Sequence, residues 1–222
     1  MKNLSVFFAA AALSLLFVSS VIPAFADDGE KDPVYGENQM IMTMAEYLEQ
    51  SENEWFLTGK KEYTVQAMMP SKETSFHNEL EVVDYTVTND GITVILKGTL
   101  GEMWTSKLSK VISTYTKADG SEITEKDFEV KDRYIDLKTK AAPDTNYAMH
   151  VPNDISVTVE TSWGDVLHTN LPNAPHGDGD FLVCRAGEDG EPDLSDVWVL
   201  NGVLFPENYE TENMKEAGKQ TL

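Results

Sequence analysis

The sequence predicts an α+β protein that is mainly antiparallel β, with an N-terminal amphipathic helix and two related β units. Three observations lead to this prediction. Apolar residues have helical spacing in 39–51, most later segments alternate with the period of strands, and the two halves share a pattern of strands and turns. A single domain over 39–210 would contain the helix and both β units, which we assign to 79–140 and 146–210.

The first 26 residues are typical of a secretory signal peptide. Lys2 provides a short positive start, and the apolar run from Val6 to Val18 follows it. Ala24-Phe25-Ala26 is the small-x-small pattern that signal peptidases cleave, so the mature chain would begin at Asp27. We therefore expect a bacterial protein that is secreted to the extracellular or cell-envelope space.

The chain is strongly acidic, with 17 Lys and Arg against 38 Asp and Glu and a formal charge of −21. Removal of the signal peptide leaves 16 basic and 38 acidic side chains, a charge of −22. This charge opposes approach to DNA, RNA or an anionic bilayer, so no nucleic-acid partner is expected. Residues 27–38 are predicted to be a flexible acidic leader. The polar tail at 211–222 offers no hydrophobic segment, so we expect no stable membrane anchor.

The predicted helix spans residues 39–51. Met40, Met44 and Tyr47 fall on one face of it, and Asn38 can cap its first turn. The strand formers at 63–68 predict the first strand.

The next segments predict a β-hairpin. Residues 79–88 alternate between apolar and polar side chains, and 92–96 form a second apolar strand. Asn89-Asp90-Gly91 between them is a strong turn sequence.

An internal similarity suggests a duplication. At an offset of 63 residues, Ile92-Thr93-Val94 aligns with Ile155-Ser156-Val157, and 101–108 aligns with 164–171. Both copies would contain a strand, a Gly-acidic turn and a second strand. The alternative is chance similarity between amphipathic strands, which share β-branched residues.

The similarity also decides an ambiguous segment. Leu108, Val111 and Tyr115 have helical spacing, but the matching stretch contains Pro172 and Pro175, which a helix interior excludes. We therefore predict a strand over 111–116. A helical turn at 125–129 and a strand at 134–139 follow. In the second unit, alternating apolar residues predict two core strands: Phe181, Val183, Trp198, Leu200, Val203 and Phe205.

Residues 158–210 resemble a small β module, the PGDYG domain. The resemblance rests on Thr161-Ser162-Trp163-Gly164-Asp165-Val166, on 179–183, on 197–202, and on Phe205 with Tyr209-Glu210. The chain differs from the PGDYG pattern in two places. It has Gly177-Asp178 in place of the proline of that motif, and it has an insertion at 186–196. The resemblance implies a compact β unit and no transferable catalysis.

A candidate metal site lies in the second unit. His176, Asp178 and Asp180 share one Gly-rich loop, with Asp165 and His168 nearby in the sequence. Carboxylates suit Ca²⁺, and imidazoles would add affinity for Zn²⁺. The EF-hand pattern fails because Leu182 stands where an oxygen ligand is needed. The alternative is a Gly/Asp loop whose side chains cap backbone amides.

No motif for nucleophilic catalysis is present. The Gly-x-Ser-x-Gly elbow is missing, and the lone Cys184 lies in a predicted buried strand. Trp163, Asn173 and His176 are predicted ligand-binding residues on exposed loops. We expect a non-catalytic binding protein whose partner is a protein or a small molecule, without a cofactor. The alternative is a divalent-cation-binding protein or metal-dependent hydrolase that uses the loop region at 165–180.

Overall fold

The computed structural model describes residues 34–139 and 142–214. The predicted signal peptide and residues 27–33 of the leader lie outside the described residues, as does the tail beyond residue 214. The described chain is mostly antiparallel β-sheet with few helices, so the predicted β-rich α+β class is confirmed.

The described elements follow one another with short connections. The strands are β1 (Met40–Thr43), β2 (Phe56–Lys60), β3 (Thr64–Met68), β4 (Thr74–Asn78), β5 (Val83–Val87), β6 (Thr93–Lys97), β7 (Met103–Lys107), β8 (Tyr115–Lys117), β9 (Ile135–Thr139), β10 (Ala142–Pro152), β11 (Ile155–Glu160), β12 (Val166–His168), β13 (Gly179–Arg185) and β14 (Trp198–Leu200). The helices are α1 (Met44–Gln50), α2 (Leu108–Thr114) and α3 (Phe205–Asn208), with a 3-10 turn at Glu125–Phe128.

Four sheets organise these strands. Their orders are β1-β11-β12, β14-β13-β10-β2, β7-β6-β3-β9-β8 and β4-β5, and among the described pairs β1 with β11 is the parallel one. Strands β2 and β10 pair directly, and the chain between them, 61–139, forms the five-stranded sheet and the β4-β5 hairpin. The predicted unit 79–140 thus shares its sheet with β3, and the unit 146–210 shares sheets with β1 and β2.

Strand β13 lies at the centre of the core. Leu182 and Cys184 pack on one side of its sheet in a cluster with Tyr47, and Phe181 packs on the other side in a cluster with Phe205. The rings of Phe181 and Phe205 are stacked with centroids 3.9 Å apart. A strand that is covered on both faces requires the continuous apolar sequence found here.

The predicted helix at 39–51 is wrong in its first part. Residues 40–43 form β1, and the helix begins at Met44. Thr43 explains the boundary, because its hydroxyl accepts from the Glu46 amide at 3.2 Å while the Glu46 carboxylate accepts from the Thr43 amide at 2.8 Å. As a result Met42 enters the core while Met40 is 56% exposed.

The predicted hairpin around residues 89–91 is also wrong. Strand β5 pairs with β4, whereas β6 pairs with β3 and β7. The Asp90 carboxylate accepts from the backbone amides of Ile92 and Thr93, each at 2.8 Å, and the Asn89 side-chain Nδ2 donates to the Ser71 carbonyl at 2.9 Å. These turn residues therefore anchor a crossing between two sheets.

The segment predicted as a strand at 111–116 is mostly helix, since α2 ends at Thr114. The two hairpins β6-β7 and β11-β12 both turn through a glycine at positive φ, 88° at Gly101 and 99° at Gly164. After these hairpins the two copies diverge in structure, so the prolines of the second copy do not exclude a helix in the first copy. The duplication itself stays a prediction.

Two later segments have the predicted secondary structure and one does not. The helical turn after Thr124 and the strand at 135–139 are confirmed. Val203 and Phe205 were predicted to continue a strand, but the chain turns after Leu200 and Phe205 begins α3. Pro206 favours this start, since the first helical turn tolerates proline.

Candidate functional site

An open cleft of about 520 Å³ lies near the end of the β10-β13 pair at which Pro152 lies opposite Gly179. It forms where the segment before β1 meets the β10–β11 turn and the long loop between β12 and β13. Its lining residues are Gly36, Asn38, Gln39, Asn153, Asp154, Asn170, Pro172, Ala174, His176 and Gly177. Clefts of this size are common for small ligands.

Gln39 holds the N-terminal wall of the cleft in place. Its side-chain oxygen accepts from the Gly36 amide at 3.1 Å. Its Nε2 donates to the carbonyls of Asn153 at 3.1 Å and Asn170 at 2.7 Å. One amide side chain thus ties together all three segments that form the cleft.

Asn170 fixes the start of the long loop. Its Nδ2 is within 3.0 Å of the carbonyls of Val151, Pro152 and Ile155, and its Oδ1 accepts from the Asp180 amide at 2.7 Å. The residue has φ of +54°, a conformation that Asn tolerates better than most residues. The side chain replaces backbone pairing at the point where the chain leaves the sheet.

Asp180 and His176 close the other end of the loop. The carboxylate of Asp180 accepts from the amides of Asn170 at 2.7 Å and Gly202 at 2.8 Å. His176 Nδ1 lies 2.8 Å from Asp180 Oδ1, and His176 Nε2 lies 2.5 Å from the Leu171 carbonyl. The side chains of His176 and Asp180 are 12% and 4% exposed.

The contacts of His176 determine its protonation. Burial by itself lowers the pKa of His176, but the hydrogen bonds to Asp180 and to the Leu171 carbonyl outweigh burial and raise it above the usual value. Both ring nitrogens face oxygen acceptors, so a protonated ring donates a hydrogen bond from each. The contact between His176 and Asp180 closes the loop.

Gly202 allows the chain to pass directly against this pair. A Cβ atom at position 202 would lie 2.0 Å from the Gly179 carbonyl oxygen and 2.1 Å from the His176 carbonyl oxygen. No side chain fits at such distances, so glycine is required there.

The predicted site residues fall into separate groups. The Trp163 indole donates to the Asp165 carboxylate at 2.7 Å and packs against the aromatic core cluster. His168 Nδ1 lies 3.3 Å from the Tyr35 hydroxyl and 3.1 Å from that of Thr158, and burial lowers the pKa of His168. None of these residues lines the cleft.

The other predicted residues lie on the long loop. Asn173 and Asp178 are exposed, and His176 lines the cleft. Asp180 is buried and contacts His176. Within residues 34–139 and 142–214, no group of three or more His, Cys, Asp or Glu side chains could hold a metal ion. The predicted metal ligands that contact one another are therefore the His176-Asp180 pair.

Cys184 is fully buried in β13, as its apolar sequence context predicts. Burial, reinforced by the negative charge of Asp193, raises the pKa of its thiol to about 12. A buried, protonated thiol is a poor nucleophile, so the residue belongs to the core.

Sequence reasoning missed four polar residues that build the cleft: Gln39, Asn153, Asp154 and Asn170. Each stands near a strand end, where Asn and Asp ordinarily indicate turns. The available signal was the density of amide side chains next to strand ends, and it does not reveal which of them meet. Only the pairing of β1 with β11 brings Gln39 to Asn153 and Asn170.

Comparison with known proteins finds no matching family model, no matching curated protein and no matching solved structure. The PGDYG resemblance of residues 158–210 stays a prediction from short motifs. None of the helices in the described part of the chain is long and apolar enough to span a membrane.

Proposed function

We propose that this chain is an exported, non-catalytic binding protein and that the cleft beside residues 36–39, 153–154 and 170–177 is its ligand site. The signal-peptide pattern at 1–26 supports export. The main support for a ligand site is a hydrogen-bond network that fixes all three walls of the cleft before a ligand binds. Its members are Gln39, Asn170, Asp180 and His176.

A preformed site reduces the entropy cost of binding. In this cleft the loops are already ordered by side chains with partners, so a ligand does not need to organise them. The dyad of His176 and Asp180 resembles a catalytic pair in composition only. His176 Nε2 is occupied by the Leu171 carbonyl, and the described residues place no hydroxyl or thiol nucleophile against it.

A ligand panel tests the proposal. We would follow thermal unfolding of the protein purified after export, with neutral sugars, amino acids, diamines, Ca²⁺ and Zn²⁺ added singly. A ligand at one hundred times its Kd adds about 2.7 kcal/mol of stability, which raises Tm by about 8 °C in a chain of this size.

Two variants locate the binding. Ala174→Tyr fills the cleft from a half-exposed lining position, and Ala118→Tyr adds the same side chain at an exposed position in the other sheet region. Binding at the cleft is lost in Ala174→Tyr and kept in Ala118→Tyr. A ligand that binds both variants equally well would place its site elsewhere and contradict the proposal.

The alternative is a divalent-cation-binding protein or metal-dependent hydrolase. It is supported by the carboxylates and imidazoles of residues 165–180, and a Tm increase with Ca²⁺ or Zn²⁺ that Asp178→Asn abolishes would favour it. Turnover in a hydrolase panel that disappears on substitution of His176 or Asp178 would overturn the non-catalytic proposal. The side chain of Asp178 is exposed, so its substitution should leave the fold intact.

A further inference from the structure

We propose that the ligand of this cleft carries an organic ammonium group, which the Asp154 carboxylate and neighbouring amide oxygens bind. The inference rests on the proposed function, because it names the chemistry of a ligand at the same site. Some hydrogen-bonding groups of the cleft already have partners within the protein, and the groups without partners indicate the chemistry of the ligand.

The side-chain amide groups of Gln39, Asn153 and Asn170, which line the cleft, already donate to the protein. Gln39 Nε2 donates to two backbone carbonyls, and Asn170 Nδ2 contacts three. Asn153 Nδ2 donates to the Gly177 carbonyl at 2.7 Å. These side chains turn their N–H groups towards the protein, so they offer few donors to a ligand that presents oxygen atoms.

The open charged group of the cleft lining is an acceptor. Asp154 is exposed, and nothing among the described residues donates to its carboxylate, while its backbone carbonyl accepts from the Met40 amide at 2.8 Å. The side-chain oxygen of Asn153 also has no donor in the described chain, and the exposed Asn38 adds a further amide oxygen to the cleft lining. An ammonium group, with three donors and no acceptor, matches this set.

The charge of the cleft favours the same ligand. His176 Nδ1 lies 2.8 Å from Asp180 Oδ1, so these two side chains together add no net positive charge to the cleft. The cleft lining includes no Lys or Arg, which leaves the charge of Asp154 unopposed. The formal charge of −21 over the whole chain attracts cations over longer distances. Pro172 and Ala174 provide an apolar wall for a carbon chain.

Calorimetry with 1,4-diaminobutane tests the inference, and 1,4-butanediol is the neutral probe of the same shape. We expect heat with the diamine, none with the diol, and weaker binding as NaCl is raised. The blocked peptide acetyl-Gly-Lys-Gly-amide, whose ammonium group is the lysine side chain, is tested alongside and distinguishes a free amine from a lysine side chain as the source of the ammonium group. Binding of either the diamine or the lysine peptide at Asp154 supports the inference.

Asp154→Asn removes the charge and keeps the shape. We expect it to weaken diamine binding by about fivefold, the effect of an exposed ion pair. Glu160→Gln is the matched control, because Glu160 is also exposed and ends strand β11, which begins directly after Asp154, about 20 Å away by strand rise. This distance exceeds the screening length in 0.1 M salt, so Glu160→Gln should change binding by less than about twofold.

The possible results distinguish failure of the ammonium assignment from failure of the proposed ligand site. Equal effects of Asp154→Asn and Glu160→Gln would show nonspecific charge attraction and overturn the inference, as would the absence of heat with both amines. Binding of the diol or a neutral sugar that Ala174→Tyr abolishes would preserve the ligand site and overturn the ammonium assignment. Ca²⁺ binding that displaces the diamine would assign the oxygens to a metal ion. Failure of every panel member would count against both.

Discussion

Replacement of Asp180 by Asn tests the hydrogen-bond network that shapes the cleft. The carboxylate is 4% exposed and accepts from two backbone amides, while its Oδ1 also pairs with His176. The Asn side chain has nearly the same shape but one oxygen in place of two. Whichever way the amide is oriented, its NH₂ faces either the buried backbone N–H of Asn170 or the partly buried backbone N–H of Gly202.

The contact between this NH₂ group and a backbone N–H determines the expected loss of stability. One buried N–H without an acceptor costs about 2 kcal/mol, and conversion of the remaining charge-assisted bonds to neutral ones costs about 1 kcal/mol more. We therefore expect Asp180→Asn to lower the free energy of unfolding by about 3 kcal/mol. In a chain of this size that loss lowers Tm by about 9 °C.

Urea denaturation is the assay, with the loss read from the midpoint at an unchanged m-value. Asp178→Asn is the control, since Asp178 lies two residues earlier on the same loop and its side chain is exposed, and it should cost less than about 0.5 kcal/mol. A loss below about 1 kcal/mol for Asp180→Asn would refute the reasoning, because it would mean that the buried amides do not depend on the carboxylate.

Three further predictions concern the same sheet and loop. Since the folded pKa of His176 is raised, its contribution to stability is complete below its unfolded pKa of about 6.5 and is lost as pH rises through the folded pKa. Urea midpoints measured from pH 5.5 to 9 should therefore fall more steeply in the wild type than in His176→Gln, and equal slopes would contradict the assignment. Gly202→Ala should unfold the protein or lower Tm by more than about 8 °C, because its Cβ would overlap two carbonyl oxygens, whereas Gly36→Ala, with its nearest contact at 3.6 Å, should leave circular dichroism melts unchanged. The Cys184 thiol should react with Ellman's reagent only after denaturation, and rapid labelling of the native protein would show that β13 opens.

The sequence alone predicted the elements whose local pattern and burial agree. The apolar run at 181–184 in β13 was correct because successive positions of a strand covered on both faces are apolar. The turn after Thr124 was correct because its capping residues act within four positions of one another. The prediction that Cys184 lies in the core was confirmed for the same reason as its strand.

The wrong predictions have long-range causes. Met40 has helical spacing with Met44 and Tyr47, but backbone pairing of Met40 with Ile155 and of Met42 with Val157 places this segment in a strand. Asn89-Asp90-Gly91 forms a turn, as predicted, yet the strands on either side find partners elsewhere. Periodicity and turn sequences describe local geometry, and they do not specify which strand is the neighbour.

The sequence by itself determined the β-rich class, the strongly acidic charge and the apolar strands of the core, because composition and short-range pattern suffice for these properties. The candidate metal residues also came from the sequence, where five of them lie within sixteen positions at 165–180. Only the tertiary structure decided that His176 pairs with Asp180, that Asp165 accepts from Trp163, and that Gln39 reaches Asn170. Nearness in sequence does not fix where a side chain points, and a cleft exists only where separate segments meet after strand pairing.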